Sequence, residues 1–220
     1  NFSITWDATR MFRRQMEDPD FKREFIDRFC VYMGDFLNSA RIREIWDPMY
    51  ELMKPEWKKH QETVYDPWWQ PSIDNETGNI RTWLLKRTDE MYKQLGNTFS
   101  IGSPIKFTIT TDPSSEDEAD VTVNGVALTR NTFDGKFFAN RTLILEATAP
   151  EGKVVSGWKV LTTKSDGSVS REKVDGARYE FTMPTCKSLA INPILSDPTG
   201  ISNVDENDWI WQKSGKQLTL

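Results

Sequence analysis

The hydrophobic period of this chain changes near residue 100, and that change constrains the fold more than any other feature of the sequence. Before it, apolar residues such as Phe21, Phe25 and Phe29 recur every three or four positions, which predicts amphipathic helices. After it, short alternating or β-branched runs such as IKFTITT and RTLILEATA predict strands, and Asn-Gly and Asp-Gly pairs between them predict tight turns. The sequence therefore predicts an α+β fold in two domains, with about four helices followed by a small antiparallel β-sandwich-like module.

The domain boundary is expected near Gly102-Ser103-Pro104, because this tripeptide cannot continue the preceding helix. We assign residues 1–101 to a helical domain, residues 102–196 to the β module, and residues 197–220 to a tail or the start of another domain. The two domains are expected to fold separately.

Local signals predict where helices and turns begin. Asp18 followed by Pro19 is a strong helix start, because Asp caps the first turn and proline suits the first helical position. Pro48 is expected to kink or split the second long helix, and Pro55 looks like a further restart. The Asp-Gly pair that ends at Gly135 is interpreted as a turn between strands. One aromatic face is predicted to pack inside the helical domain; it consists of Phe21, Phe25, Phe29, Tyr32 or Met33, and Phe36.

Composition excludes several classes of function. A net charge of −5 over 220 residues leaves no basic stripe for nucleic acid, and no apolar run approaches the roughly 20 residues that span a bilayer. No signal peptide precedes Asn1, and the missing initiator Met indicates a processed chain or an excised fragment. Cys30 and Cys186 are expected to be buried free thiols, too few for a metal cluster.

Few residues indicate chemistry. His60 is the single histidine, which excludes mechanisms that need a pair of them; a packed or capping role is the simplest alternative to a ligand-binding one. The sequence has no glycine-rich phosphate loop, so we assign no catalytic residue, no metal ligand and no cofactor. The acidic residues 114–120 fit a solvated loop, and calcium binding there is left open.

Trp68 and Trp69 stand side by side between two prolines. Exposed, they would form a platform for a sugar or a peptide; buried, they would pin a loop to the helices. The surrounding helices are rich in aromatic residues that need partners, so we expect at least one of the two indoles to be mostly buried. Together with His60 they are the only candidate ligand-binding residues.

Several separated elements of the helical part recur in an order that resembles one family. These elements are Asp18-Pro19-Asp20-Phe21, Phe25-Ile26-Asp27-Arg28-Phe29, Leu37-Asn38-Ser39, Lys54-Pro55-Glu56-Trp57 and His60. Together with IRTWLLKRTDEMYKQL they resemble the C-terminal helices of the CotH family, the spore-coat-protein-H-like atypical kinases, over roughly residues 10–97. The resemblance implies a kinase-like fold whose nucleotide-binding and catalytic elements lie upstream, so that this chain by itself is not expected to be an enzyme.

The β region resembles divergent internalin-B-type repeats over about residues 105–196, through Asn124, Gly125, Gly135, Ala147, Pro150, Gly152, Gly157 and Trp158. The end of the chain is similar to the first strands of a type IX secretion sorting domain. These resemblances imply a secreted or cell-surface bacterial protein with a protein or glycan partner. The alternative is an adhesion or carbohydrate-binding module that uses the Trp68–Trp69 loop or the β module. Self-association through the helices is also expected, because their aromatic residues would lack a covering partner.

Overall fold

A computed structural model describes residues 7–64, 73–110, 118–130 and 132–198 of the chain. Four helices come first in these ranges: α1 (Asp7–Gln15), α2 (Pro19–Asp35), α3 (Ser39–Val64) and α4 (Ile73–Phe99). Nine strands follow: β1 (Ile105–Ile109), β2 (Asp120–Val123), β3 (Val126–Ala127), β4 (Phe133–Phe137), β5 (Thr142–Thr148), β6 (Val154–Thr163), β7 (Val169–Asp175), β8 (Arg178–Thr182) and β9 (Ser188–Ser196). The predicted α+β arrangement, with four helices before the strands, is confirmed.

The strands form two sheets, one in the order β4-β1-β9-β6-β7 and one in the order β3-β2-β5-β8. Neighbouring strands are antiparallel except for β1 and β9, which run parallel and lie far apart in the chain. The ring of Phe107 on β1 lies 6.4 Å from that of Phe181 on β8, so residues of the two sheets meet in one core. Trp158 on β6 is fully buried in the same core.

The turn predictions are partly correct. Asn124 and Gly125 join β2 to β3 with φ values of 49° and 74°, as a tight hairpin turn requires. The prediction of a turn at Gly135 was wrong, because this residue lies inside β4. Glycine is needed at this position for a different reason, because a Cβ there would lie 2.6 Å from the Cα of Gly34 on α2.

Helix α2 begins as its sequence predicts. The Asp18 carboxylate accepts hydrogen bonds from the backbone N–H groups of Asp20 (2.8 Å) and Phe21 (3.3 Å), and Pro19 occupies the first turn. These contacts satisfy two of the N–H groups that lack a partner within the helix.

The buried face of α2 differs from the predicted aromatic face. Ile26, Cys30 and Gly34, spaced by four, face the β module and are buried. Met33 is the buried member of the predicted set, whereas Tyr32 is 50% exposed. The reason is steric: small side chains let the helix approach β4 closely, and an aromatic face would hold it away.

The prediction that Pro48 splits the second long helix was wrong, because α3 continues through both Pro48 and Pro55. Each proline removes one backbone hydrogen bond, whose acceptor belongs to the residue four positions earlier. Those residues, Glu44 and Glu51, are exposed, as are the prolines. Solvent can therefore hydrogen-bond the released carbonyl groups, and the helix continues.

One cluster of buried apolar side chains extends from the helices into both sheets. It includes Ile26, Cys30 and Tyr92 from the helices, together with Phe107 and Leu143 from the strands. Cys30 and Cys186 are buried and unbonded to each other, as predicted. The division at residues 101/102 and 196/197 into separately folding domains stays a prediction.

Candidate docking surface on the helices

Large apolar side chains are exposed mainly on the helices. Eight of the thirteen such side chains within the described ranges lie there, namely Met11, Tyr32, Ile45, Met49, Leu52, Met53, Ile80 and Trp83, and Phe36 and Leu37 lie in the connection between α2 and α3. The other three belong to β6 and β7. Scattered exposed apolar residues are ordinary on a protein surface, but a concentration on a few elements marks a region that contacts something else.

Helices α3 and α4 form an antiparallel hairpin that is held by a bidentate ion pair. Arg81 Nε donates to Asp47 Oδ1 at 2.7 Å and Arg81 Nη2 donates to Asp47 Oδ2 at 3.0 Å. This pair lowers the pKa of the Asp47 carboxyl below its ordinary value, chiefly through the hydrogen bonds from Arg81. Near the base of the hairpin, Thr88 Oγ1 donates to the carbonyl oxygen of Leu37.

Four apolar residues of α3 are exposed, whereas Ile42, Trp46 and Tyr50 of the same helix are half-buried. Each helical residue advances about 100° around the axis, so Ile45, Met49 and Leu52 lie roughly 140° to 200° from Asp47, which faces α4. Leu52 is 80% exposed and Met49 is 53% exposed. With Met53 they expose on the order of 400 Å² of apolar surface, comparable with the roughly 300–600 Å² of the largest patch on a typical monomer. We call Ile45, Met49, Leu52 and Met53 the α3 patch.

The outer side of α4 carries a second apolar region. Trp83 lies two residues from Arg81 and hence on the far side of the helix, where 56% of its surface is exposed. The guanidinium of Arg87 stands over its ring, 5.4 Å from the centroid. Such a contact covers one face of the indole and leaves the other face free for a partner.

The aromatic residues that sequence reasoning placed in the core line a groove on the outer side of α2. Its volume is about 370 Å³, and it is lined by Phe21, Glu24, Phe25, Arg28, Phe29 and Tyr32. Phe12 of α1 packs edge-on against Phe25, with ring centroids 5.4 Å apart. The aromatic face is therefore only half covered.

Of the three predicted ligand-binding residues, His60 alone lies within the described ranges. The His60 side chain is exposed on α3. Trp68 and Trp69 lie outside the described residues, as do residues 111–117, which include most of the acidic run. Within the described ranges, no group of three or more His, Cys, Asp or Glu residues could hold a metal ion. None of the helices described is long and apolar enough to cross a membrane.

Two buried carboxylates on α2 were missed by sequence reasoning. Asp27 pairs with Arg141 of the β module, and Asp35 accepts hydrogen bonds from the backbone N–H and hydroxyl of Thr129. Desolvation raises the pKa of Asp27 above its ordinary value and outweighs the hydrogen bond and charge of Arg141. A signal was available, because Asp27, Val31 and Asp35 are spaced by four, on the buried side of the helix.

Cys30 has no chemical environment for a nucleophile. Burial raises the pKa of its thiol well above its ordinary value, and the nearby Asp27 carboxylate adds to the effect. The backbone carbonyl of Cys30 accepts a hydrogen bond of 2.9 Å from the hydroxyl of Tyr92 on α4. Burial also raises the pKa of Tyr92, so this hydroxyl remains a donor. The arrangement joins α2 to α4 and has no catalytic character.

Comparison with protein families adds one match. Residues 3–91 match the family model of the CotH kinase protein, and the match confirms the CotH resemblance of the helical part. Searches of curated proteins and of solved structures found no match for the chain. The resemblances of the β region to internalin-B repeats and of the C-terminal segment to a sorting domain gain no support. The segment that is similar to CotH kinase proteins thus carries ten of the thirteen exposed large apolar side chains within the described ranges.

Proposed function

We propose that this chain is the non-catalytic C-terminal portion of a secreted bacterial CotH-like protein. Its helices complete a kinase-like fold, and the β module acts as a spacer or an interaction domain. The observation that carries the proposal is the coincidence of the CotH match with the exposed apolar side chains of the helices. A helix that belongs to a larger fold has one face against this chain and another against the rest of that fold.

Burial of the exposed apolar side chains would favour docking. Covering on the order of 400 Å² at the α3 patch would contribute roughly 10 kcal/mol before the entropic cost of association is subtracted. Trp83 adds an aromatic anchor of the kind that dominates binding energies at interfaces.

The non-catalytic role follows from what phosphoryl transfer needs. A kinase positions a phosphate-binding Lys, a catalytic Asp, and Asp or Asn side chains that hold Mg²⁺. None of these can be matched to a motif of the present sequence, because the part that resembles CotH begins after them. We expect calorimetric titration of the chain with ATP and Mg²⁺ to show no binding in the micromolar range. Micromolar binding would contradict the assignment.

The docking role is tested with the polypeptide encoded directly upstream of Asn1. We expect that polypeptide to carry the phosphate-binding and metal-holding motifs and to bind this chain. Leu52→Glu should weaken binding by at least tenfold, because it places a charge within the α3 patch. Leu161→Glu, at a position that is 37% exposed on β6, is the matched control and should leave binding unchanged. An upstream sequence without these motifs, or equal effects of the two variants, would refute the proposal.

Secretion is tested separately. If the protein resides on the outer face of a bacterial envelope, an antibody against the β module should label intact cells, and external protease should remove the signal. Labelling that requires permeabilised cells would refute a surface location without affecting the docking role.

A second candidate function is adhesion or carbohydrate binding through the Trp68–Trp69 loop or the β module. The adjacent tryptophans between two prolines favour it, because stacked indoles are a common platform for sugars. It requires both indoles to be accessible. Acrylamide quenching of wild type against Trp68→Ala and Trp69→Ala distinguishes the two cases, and protection of either indole would exclude a two-ring platform.

A further inference from the structure

Helix α2 and strand β4 approach each other backbone to backbone. A Cβ on Gly34 would lie 2.8 Å from the Cα of Gly135, and a Cβ on Gly135 would lie 2.6 Å from the Cα of Gly34. Neither glycine has a positive φ, so their backbone conformations do not demand glycine. The close approach itself explains why both positions are occupied by glycine, and it leaves no room for the helix to slide over the strand.

Two polar contacts fix α2 on either side of this approach. Asp27 binds Arg141, whose Nη2 also donates to the Arg23 carbonyl oxygen at 2.8 Å. Asp35, eight residues further on, accepts from the Thr129 N–H at 3.1 Å and from its hydroxyl at 3.0 Å. Eight residues of helix span about 12 Å, so the two anchors hold both ends of the buried face. Two separated anchors resist rotation as well as translation.

Helix α4 is seated on the same surface. A Cβ on Gly96 would lie 3.0 Å from Cε1 of Phe138, which is fully buried just after β4. A Cβ on Gly135 would lie 2.7 Å from the hydroxyl oxygen of Tyr92, which is also on α4. Both α2 and α4 therefore depend on the β4 region for their positions.

We infer that the β module is a rigid seat for the helices and not a flexible spacer. It holds α2 directly, and α4 through Tyr92 and Phe138, so the docking surface is presented in one orientation. Buried carboxylates such as Asp27 and Asp35 are expensive to desolvate, and their attested use is to select one arrangement among several. The inference rests on the proposed function only where it assigns docking to the exposed apolar surface of the helices. The rigid connection between the helices and the β module rests on the contacts described above.

The test is whether the two parts tumble together. In ¹⁵N relaxation measurements on the intact chain, we expect the strands and α2 to share one rotational correlation time. One alignment tensor should also fit the residual dipolar couplings of both parts. Correlation times that differ by a factor of about 1.5 or more, or a need for two tensors, would overturn the inference. This outcome is independent of whether any upstream polypeptide binds.

A pair of glycine variants tests whether the contact between Gly34 and Gly135 holds α2 rigidly against β4. Gly34→Ala and Gly78→Ala both place a better helix former in a helix, but only Gly34 faces β4, whereas nothing lies within 4 Å of a Cβ at Gly78. We expect Gly34→Ala to give the two parts separate correlation times or to prevent folding, and Gly78→Ala to behave as wild type. A Gly34→Ala chain that tumbles as one body with unshifted β4 resonances would overturn the role of the glycine contact.

Discussion

The buried ion pair between Asp27 and Arg141 makes a strong prediction about stability. The two side chains are 9% and 12% exposed, and they connect α2 to the turn before β5. We compare Asp27→Leu, Arg141→Met and the double variant. Each single variant leaves one charged group in a desolvated site without its partner, whereas the double variant replaces both with apolar side chains.

The expected magnitudes follow from the burial of the pair. Removal of one partner of a buried pair typically costs about 3–5 kcal/mol, because the remaining charge is uncompensated. Replacement of both partners by apolar side chains of similar volume is often neutral or stabilising. We therefore expect each single variant to lose about 3–5 kcal/mol of unfolding free energy, and the double variant to lie within about 1 kcal/mol of wild type.

Urea denaturation at pH 7, followed by circular dichroism, measures these differences. The control is Arg178→Met, which removes pairs with Glu146 at 2.7 Å and with Glu180 at 3.1 Å, in which the side chains are about half exposed. Exposed pairs of this kind contribute little to stability, so we expect this variant to unfold close to wild type. Single losses below about 1 kcal/mol at Asp27 and Arg141 would show that solvent reaches the pair and would refute the argument from burial.

Three further predictions concern titration, thiol reactivity and self-association. The raised pKa of Asp27 means that its contribution to stability is complete below the ordinary carboxyl pKa and is lost as pH rises through the folded-state value. Arg81 lowers the pKa of Asp47, so the contribution of Asp47 to stability is lost as pH falls. We therefore expect the loss of unfolding free energy in Asp27→Asn, measured against wild type at pH 3–7, to change with pH in the opposite direction to the loss in Asp47→Asn. Cys30 should resist iodoacetamide in the native protein and react after unfolding, because burial raises its thiol pKa; rapid native labelling would contradict its buried position. The isolated chain should self-associate through the α3 patch, so light scattering should show that Leu52→Glu yields a monomer; monomeric wild type at high concentration would contradict this.

Features that depend on neighbouring residues could be predicted from the sequence. The change of period near residue 100 separates helices from strands because each type of element exposes its side chains with its own repeat. Asp18 caps α2 through groups two and three residues away, and Asn124-Gly125 turns the chain through its own backbone angles. In each case the interacting groups are adjacent in the chain, so the residue types are sufficient.

The glycine pair and the buried face of α2 could not be predicted, because they depend on residues a hundred positions apart. Asp134-Gly135 has the composition of a turn, yet it continues β4, where both residues pair with β1 and Gly135 lies against Gly34. The aromatic residues of α2 show the stronger period, but the small residues face the strand. Hydrophobic period locates a face that needs burial and does not say which neighbour is near enough to bury it.

The candidate docking surface also combines properties that the sequence determines with properties that only the tertiary structure determines. The sequence alone determined that the helices carry more aromatic and aliphatic side chains than a small domain can cover, and His60, Trp68 and Trp69 remain predictions from residue type. Tertiary structure decided which of those side chains are left outside: the α3 patch is exposed, whereas Ile42, Trp46 and Tyr50 of the same helix are half-buried. The physical reason is that the exposure of a side chain depends on how whole helices and strands pack against each other, which no local sequence pattern contains.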